Sequence, residues 1–365
     1  MRIVHIIRWM DERFKRSRRP IVVGVVLLLL ISGGLIYLIV TDQIRRPASE
    51  PSVPVTVVTA TTSTPVLVSR YLDGVLVTKG EEAFMPRAVM VENQVDARPL
   101  SGPAKAQVVI EAPVEGGITR FLLFFDATTT VDEIGPVRSA RPYFVDWAYG
   151  WKALYAHVGG SPEALSKISQ LTSFANLDEM SSRGYAFWRA TIRYAPHNTY
   201  TKSASLSQLL EEGGLTTSTA PISWHTQDPA TTTERGDVVV IRIPYGGSYN
   251  VTWKYDAETG VYTRLQSGRT QQDKDGTPVG SENVIVLKTE SQVLDAVGRL
   301  RLRTVGSGEA MAYRDGKKFP IRWRRSAGEP IKFEGNDGSE FLLTRGRTWL
   351  EITTDDRIFA GLEIK

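Results

Sequence analysis

The chain of 365 residues contains no cysteine. A disulfide framework, a thiolate metal site and a lipid-modified cysteine are therefore excluded for this sequence. Histidine is scarce as well, with four residues, and neither a Gly-x-Ser-x-Gly nor a His-Glu-x-x-His motif occurs. The sequence thus lacks a complete catalytic signature and identifies no cofactor.

Excess charge is nearly absent outside the first twenty residues. Residues 1–20 carry seven Lys or Arg side chains and two Asp or Glu side chains, a net charge of +5. The whole chain has a net charge of +4, so the remainder carries −1. A nucleic-acid-binding domain needs a strong positive patch, and the sequence therefore predicts no nucleic-acid partner.

One long hydrophobic run is present at residues 21–40, which include no charged side chain. A helix of this length spans about 30 Å, the thickness of the hydrocarbon core of a bilayer. The basic residues before it predict a cytoplasmic tail at 1–20, because cytoplasmic flanks are enriched in Lys and Arg. A cleavable signal peptide is the rival, but the run is too long and no small-x-small site follows it. We expect a single-pass anchor in the plasma membrane, with the lipid bilayer as partner and the folded domains extracytoplasmic.

Composition divides the rest of the chain into four segments. Residues 41–70 are rich in Pro, Ser, Thr and Val, which predicts an extended linker, although an edge strand is also compatible with part of it. Residues 71–214 mix strand and helix patterns and predict an α/β domain. A Thr, Ser and Pro-rich segment at 215–236 predicts a second linker. Residues 237–365 predict a mostly antiparallel β domain, a sandwich or barrel, because short alternating strands recur about every 10 residues.

Within the first domain, apolar runs at 88–92, 107–112 and 117–125 predict three strands. The Gly-Gly turn between the second and third strands would bring Glu111 close to Arg120. Pro142 and Ser161 each precede a helical pattern, as a first-turn proline and an N-cap. A buried strand at 151–158 separates these helices, and a further helix is expected at 203–212.

Arg138 and Arg141 are the strongest candidates for ligand binding. Their spacing of three residues lets both guanidinium groups reach one point, and two converging guanidinium groups bind phosphate or carboxylate well. A structural ion network is the alternative, in which Glu111 or Glu115 neutralises these arginines inside the fold.

Two histidines lie in dense motifs at predicted strand ends. His157 stands in YAHVGGSP and His197 in RYAPHNTY. Each is a candidate proton donor, general base or anion ligand, and each is also compatible with a structural hydrogen-bonded role. With Glu115 or Asp126 they would form a two-His, one-carboxylate metal set, but no metal-ligand spacing supports it, and we predict no metal site.

Several motifs resemble those of the YerB-like bacterial lipoproteins, a family with an N-terminal and a C-terminal domain and no known activity. They include EGGITRF at 115–121, GPVRSARP at 135–142, HVGGSP at 157–162 and APHNTY at 195–200. The resemblance covers about residues 84–352 and implies domains outside the membrane. A hydrophobic run stands here where the family commonly carries a lipid-modified cysteine.

The sequence therefore leaves two functional hypotheses open. The first is an envelope protein that binds an anionic ligand, a cell-wall glycan or an envelope protein, through Arg120, Arg138, Arg141, His157, His197 and Asn198, with Glu111 and Glu115 nearby. The second follows a weaker likeness to the LytR-CpsA-Psr phosphotransferases. It implies an enzyme acting on envelope glycans linked to a lipid diphosphate, with the arginines on the pyrophosphate. A purely structural ion network is a third hypothesis.

Overall fold

The computed structural model describes residues 27–41, 65–81, 85–181, 183–214, 224–237, 240–356 and 359. The chain divides into two units, Met1–Ser63 and Thr64–Lys365. The second unit holds all the strands of the described residues.

The described part of the first unit is one helix, α1, at residues 27–41. Its apolar side chains are exposed, from 50% for Val40 to 71% for Leu28. A search of the described residues finds no helix that is both long and apolar enough to cross a bilayer. Residues 21–26 of the predicted anchor and the basic tail at 1–20 lie outside the described residues.

Within its described residues, the second unit has three α-helices of nine or ten residues and 23 strands. The helices are α2 (Pro142–Gly150), α3 (Pro162–Gln170) and α4 (Ser203–Glu212). The strands are β1 (Leu67–Ser69), β2 (Leu76–Thr78), β3 (Arg87–Glu92), β4 (Val108–Pro113), β5 (Thr119–Phe125), β6 (Leu154–His157), β7 (Asn176–Asp178), β8 (Phe187–Arg189), β9 (Thr199–Thr201), β10 (Thr226–Gln227), β11 (Val240–Ile243), β12 (Val251–Asp256), β13 (Val261–Gln266), β14 (Arg269–Thr270), β15 (Gly280–Ser281), β16 (Asn283–Lys288), β17 (Ser291–Val293), β18 (Leu300–Leu302), β19 (Gly306–Arg314), β20 (Lys317–Arg325), β21 (Lys332–Gly335), β22 (Leu343–Thr344) and β23 (Thr348–Thr353).

A ten-stranded mixed sheet organises the unit, in the order β21-β20-β19-β16-β23-β4-β5-β3-β6-β7. Half of it comes from the first predicted domain and half from the second. The two halves meet where β23 pairs in parallel with β4, with Leu350 opposite Ile110. The two predicted domains, at 71–214 and 237–365, therefore contribute strands to one sheet.

Both faces of this sheet are covered, and for that reason its central strands are buried along their length and are mostly apolar. All seven residues of β5 are buried. Leu122 and Phe124 pack in one cluster with α2, whereas Phe121 and Leu123 pack in a second cluster on the opposite face. Successive side chains of a strand point to opposite faces, so residue parity decides which layer a side chain joins.

The helices and strands predicted for the first domain are confirmed with small shifts in their limits. Pro142 begins α2, and the Ser161 hydroxyl caps α3 by accepting a hydrogen bond from Ala164 N at 3.3 Å. The predicted strand at 151–158 is shorter, because Trp151 ends helix α2 as its C-cap.

The C-terminal segment is β-rich, as predicted, but it is not a separate sandwich or barrel. Strands β11 to β15 form a small antiparallel sheet, and five later strands join the ten-stranded sheet. A parallel partner such as β4 is remote in sequence, and short-range alternation carries no information about it.

Both predicted linkers contain structure where they are described. In the first linker, at 41–70, β1 pairs with β2, as the edge-strand alternative predicted. Residues 42–64 of this linker lie outside the described part. In the second, at 215–236, residues 224–236 are described, and Trp224 is buried with its indole N–H donating to Ile331 O at 2.7 Å. This second stretch therefore packs on the body.

Candidate functional site

Three predicted arginines converge at one end of the ten-stranded sheet. Strands β3 and β4 both run antiparallel to β5, and β3 runs parallel to β6, so β3, β4 and β6 end at the same side. Arg120, near the start of β5, lies opposite Glu92, at the end of β3. Ligands of open α/β sheets bind outside this carboxyl end. The name arginine cluster is used below for Glu92, Glu115, Arg120, Arg138, Arg141 and His197.

The segment at 135–141 brings two of these arginines into place by inserting between the ends of β3 and β6. Arg138 N donates to Met90 O at 2.8 Å, and Val158 N donates to Arg138 O at 3.1 Å. Gly135 has a φ of +147°, and a Cβ there would lie 2.9 Å from Thr199 O. Glycine is therefore required at the point where this segment enters between β3 and β6. This requirement accounts for the first residue of the GPVRSARP motif.

Glu115 holds two of the arginines. Arg141 donates to both of its carboxylate oxygens, with Nε at 3.0 Å from Oε2. Arg120 Nη2 lies 3.4 Å from Oε1, and Arg120 Nη1 donates to Ser139 O at 2.8 Å. Burial would raise the pKa of Glu115, but the bonds from Arg141 and the charge of Arg120 outweigh it and lower that pKa. Burial, then the charge of Arg141, lowers the pKa of Arg120 to about 10.

Glu92 holds the third arginine and the histidine. Its Oε2 lies 3.2 Å from Arg138 Nε and 2.9 Å from His197 Nδ1. Burial raises the pKa of Glu92, while the charge of Arg138 and the bond from His197 oppose the rise. The side chains of Arg138 and His197 are 21% and 17% exposed, whereas Glu92 is 2% exposed. Arg138, His197 and Glu115, whose side chain is 23% exposed, are therefore the members of the cluster that water reaches most.

The cluster contains more positive than negative charge. Three guanidinium groups face two carboxylates, and the Arg138 side chain has Glu92 as its one ion-pair partner among the described residues. Glu92 Oε1 and the Tyr155 hydroxyl are buried and have no hydrogen-bond partner within the described residues. Burial raises the pKa of Tyr155 against the opposing charges of Arg120 and Arg141. Such an arrangement can accept an anion.

His157 and Asn198, the two other predicted ligand residues, form hydrogen bonds to groups outside the arginine cluster. His157 is fully buried, with Nδ1 2.7 Å from Gly159 O and Nε2 2.8 Å from Asn176 Oδ1. Asn198 closes a loop, accepting from Arg189 Nη1 at 3.2 Å and donating to Ala190 O at 3.3 Å. Both geometries match the structural alternative that the sequence left open.

Glu111 lies on the opposite face of the sheet from Arg120, and the expectation that they meet is wrong. Ala112, the next residue, is the one paired with Arg120, so parity turns Glu111 to the other layer. There its Oε2 accepts from Arg264 Nη2 at 2.5 Å and its Oε1 accepts from Thr119 at 2.6 Å.

A second carboxylate completes this buried group. Glu351 accepts from the Trp253 indole at 2.9 Å and from the Tyr245 hydroxyl at 3.1 Å. Burial, and then the charge of Glu111, raises the pKa of Glu351 well above its usual value. We call Glu111, Arg264 and Glu351 the buried triad; all three side chains have 0% exposure.

Sequence reasoning missed Glu92, Arg264 and Glu351. Glu92 carries a usable signal, because it ends a predicted strand beside the strand of Arg120. Arg264 lies in an alternating strand and looks like a solvent-facing cation. Only the packing of β13 over the ten-stranded sheet buries it.

Among the described residues, no three His, Cys, Asp or Glu side chains are grouped so as to hold a metal ion. His157 Nδ1 contacts Gly159 O, and His197 Nδ1 contacts Glu92 Oε2. The pairing of the two histidines that a metal set needs is not formed.

Comparisons with known proteins agree with this architecture. Residues 72–216 match the family model "Protein of unknown function (DUF3048) N-terminal domain", and residues 241–350 match the corresponding C-terminal domain. The putative lipoprotein YerB of Bacillus subtilis is 34% identical over 280 residues, which are 74% of this chain and 81% of that protein.

The solved structures include a similar fold. The crystal structure of the YerB protein from Bacillus subtilis matches with a TM-score of 0.72 and 30% identity. The match covers 80% of this chain and 98% of that one. These shares include both halves of the ten-stranded sheet, and the chain belongs to the YerB-like family of DUF3048 proteins.

Proposed function

We propose that this protein is a membrane-anchored, extracytoplasmic component of the cell envelope. Residues 21–40 are its single-pass anchor, and the basic residues at 1–20 hold the N-terminus in the cytoplasm. The exposed apolar side chains of α1 and the word lipoprotein in the name of the Bacillus subtilis relative support attachment to a membrane.

The activity that we propose is binding of an anionic group by the arginine cluster. The observation that carries this proposal is the excess of cations at the carboxyl end of the parallel strands, where Arg138 is partly exposed and has one carboxylate partner. A bound phosphate or carboxylate would neutralise that excess and give the terminal nitrogens of Arg138 an acceptor. Its source is an anionic envelope glycan or an envelope protein.

Arg138→Ala in the full chain, kept in detergent, tests the site. The probes are inorganic pyrophosphate and purified wall fragments with and without their phosphodiester polymer. Because Arg138 makes one ion pair, we expect about tenfold weaker binding and little change in melting temperature. The matched control is Arg301→Ala on β18, an exposed arginine outside the cluster.

The structural alternative predicts the reverse result. If the cluster only holds the fold together, Arg138→Ala lowers the melting temperature and leaves the affinity for both probes unchanged. Equal binding by the Arg138 and Arg301 variants would therefore refute the anion site.

The anchor has its own test. We expect the full chain to sediment with membranes at high salt, and external protease to digest the folded unit in cells stripped of their wall. Leu29→Arg with Ile36→Arg places two charges in the hydrophobic run, and membrane-bound protein should fall strongly. Unchanged sedimentation of this variant would contradict the anchor.

A further inference from the structure

The loop between β8 and β9, residues 190–198, holds an aromatic side chain in water beside the arginine cluster. Tyr194 is 92% exposed, the largest value among the large apolar and aromatic side chains that are described. Its backbone carbonyl accepts a hydrogen bond from His197 N at 2.9 Å, which closes a turn over residues 194–197. The Cα atoms at the two ends of such a turn lie less than about 7 Å apart. Tyr194 is therefore a neighbour of His197, which belongs to the arginine cluster.

Hydrogen bonds from the middle of this loop anchor it on the body of the fold. Arg193 donates to Ala97 O and to Pro99 O, the second at 2.8 Å. It also donates to the Tyr200 hydroxyl at 3.1 Å. The backbone that carries Tyr194 is thus already ordered, and a ligand that covers the ring does not have to order the loop. Binding to such a preorganised surface costs less conformational entropy.

The hairpin that contains the loop is basic. Residues 179–202 include four Lys or Arg side chains and one Glu, a net charge of +3, whereas the whole chain beyond residue 20 carries −1. Arg193 contacts neutral carbonyl and hydroxyl oxygens and has no carboxylate partner within the described residues. Tyr194 therefore follows directly on a cation that no described carboxylate neutralises, one turn from the surplus charge of the arginine cluster.

An exposed ring beside several cations narrows the class of anionic ligand. Guanidinium groups bind a phosphate or carboxylate whatever it is attached to. A tyrosine ring in water adds a flat apolar face, which packs well on the C–H face of a pyranose sugar. A basic hairpin next to three arginines favours a ligand whose negative charge repeats along its length. A glycan that alternates sugar rings with phosphodiester groups has both properties.

We propose that the ligand of the arginine cluster is a glycan whose sugar rings are joined through phosphodiester groups. One phosphate binds Arg138 and His197, and the adjoining sugar ring stacks on Tyr194. The short distance across the 194–197 turn suits a sugar and its own phosphate. This inference rests on the proposed anion site and adds the kind of molecule that carries the anion.

Three probes test the class of ligand, with the full chain in detergent. They are inorganic pyrophosphate, poly(glycerol phosphate), and a hexose-phosphate polymer with the same number of phosphodiester groups. We expect the hexose polymer to bind about fivefold more tightly than the glycerol polymer, because it alone offers a ring to Tyr194. Equal affinity for the two polymers, or tighter binding of the glycerol polymer, would overturn the proposal.

Substitutions of Tyr194 locate the sugar contact. Tyr194→Ala should lower the affinity for the hexose polymer about fivefold, to that for the glycerol polymer, and leave pyrophosphate binding unchanged. Tyr194→Phe keeps the flat ring and should keep the preference, whereas Tyr194→Leu should lose it. The matched control is Tyr185→Ala, a 62% exposed tyrosine whose hydroxyl donates to Glu212 at 2.9 Å. A preference that survives in Tyr194→Leu would indicate an aliphatic contact, as with a protein or lipid partner, and the glycan would be the wrong ligand.

Arg138→Ala separates this inference from the proposed anion site. We expect it to weaken binding of all three probes about tenfold. If Arg138→Ala weakens pyrophosphate binding while Tyr194→Ala leaves the preference for the hexose polymer intact, the sugar contact alone is refuted. If Arg138→Ala leaves pyrophosphate binding unchanged, the anion site fails and the glycan proposal fails with it.

Discussion

The arginine cluster and the buried triad use the same side-chain chemistry in two different settings. The triad has one guanidinium and two carboxyl groups at 0% exposure, and burial raises the pKa of Glu351 well above its usual value, which favours its neutral form. The cluster has three guanidinium groups, two carboxylates and a histidine, with the side chains of Arg138, His197 and Glu115 17% to 23% exposed. Full burial demands charge balance, whereas partial exposure permits a surplus that a ligand can neutralise.

The comparison assigns different roles to arginines that look alike in sequence. Arg264 is a structural cation whose removal would strand a buried anion. Arg138 is 21% exposed, and the Glu92 that it pairs with also contacts His197. Arg141 lies between these extremes, because Glu115 binds it through two oxygens.

Arg264→Met should have the largest effect on stability. It leaves Glu111 and Glu351 buried without a cation, and we expect a loss of about 3–5 kcal/mol in the free energy of unfolding, measured by denaturant titration. The exposed control Arg301→Met should change it by less than about 0.5 kcal/mol. A loss for Arg264→Met as small as that of the control would show that the buried Arg264 is no more important for folding than an exposed arginine.

Glu115→Gln should have an intermediate effect. It removes the main partner of Arg141 and one partner of Arg120, and partial solvent exposure limits the expected loss to about 1–2 kcal/mol. Melting temperature of the variant at pH 7 measures this effect.

The pH dependence of stability sharpens this second prediction. The pKa of Glu115 is lower in the folded than in the unfolded chain, so its contribution is present above the ordinary value near 4.5 and is lost as pH falls through the folded value. Between pH 6 and pH 3 the wild-type protein should therefore lose more stability than Glu115→Gln. Parallel curves for the two proteins would show that Glu115 is not ionised against the arginines.

Arg138→Ala should have the smallest effect on stability, about 1 kcal/mol, because the Arg138 side chain is partly exposed and Glu92 keeps its contact with His197 after the change. Denaturant titration beside Arg264→Met gives the comparison directly. A loss for Arg138→Ala equal to that for Arg264→Met would make both groups structural.

Local patterns were sufficient for most elements of the first half of the chain. Proline at the start of α2 and serine before α3 are signals that act within one helical turn, so they survive any tertiary context. The same holds for the glycines around the arginine segment. Strand partners were not predictable, because β4 and β23 lie more than two hundred residues apart in the sequence and pair in parallel.

The candidate site was predictable in part for the same reason. Arg138 and Arg141 were expected to converge from their spacing; the structure places Arg141 with Arg120 on Glu115, and Arg138 on Glu92. Glu111 was expected beside them and lies on the opposite face, where a partner from β13 holds it. Sequence proximity to Arg120 gave no information about which face each strand residue occupies.

The sequence by itself determined the hydrophobic run, the absence of cysteine chemistry, the helix starts and the family. Those features depend on composition and on contacts within a few residues. Tertiary structure alone decided that two predicted domains share one sheet, and that one arginine pairs with buried carboxylates while another is partly exposed to water. Burial and pairing are properties of segments brought together from distant parts of the chain, and they set the charge balance on which each proposed function rests.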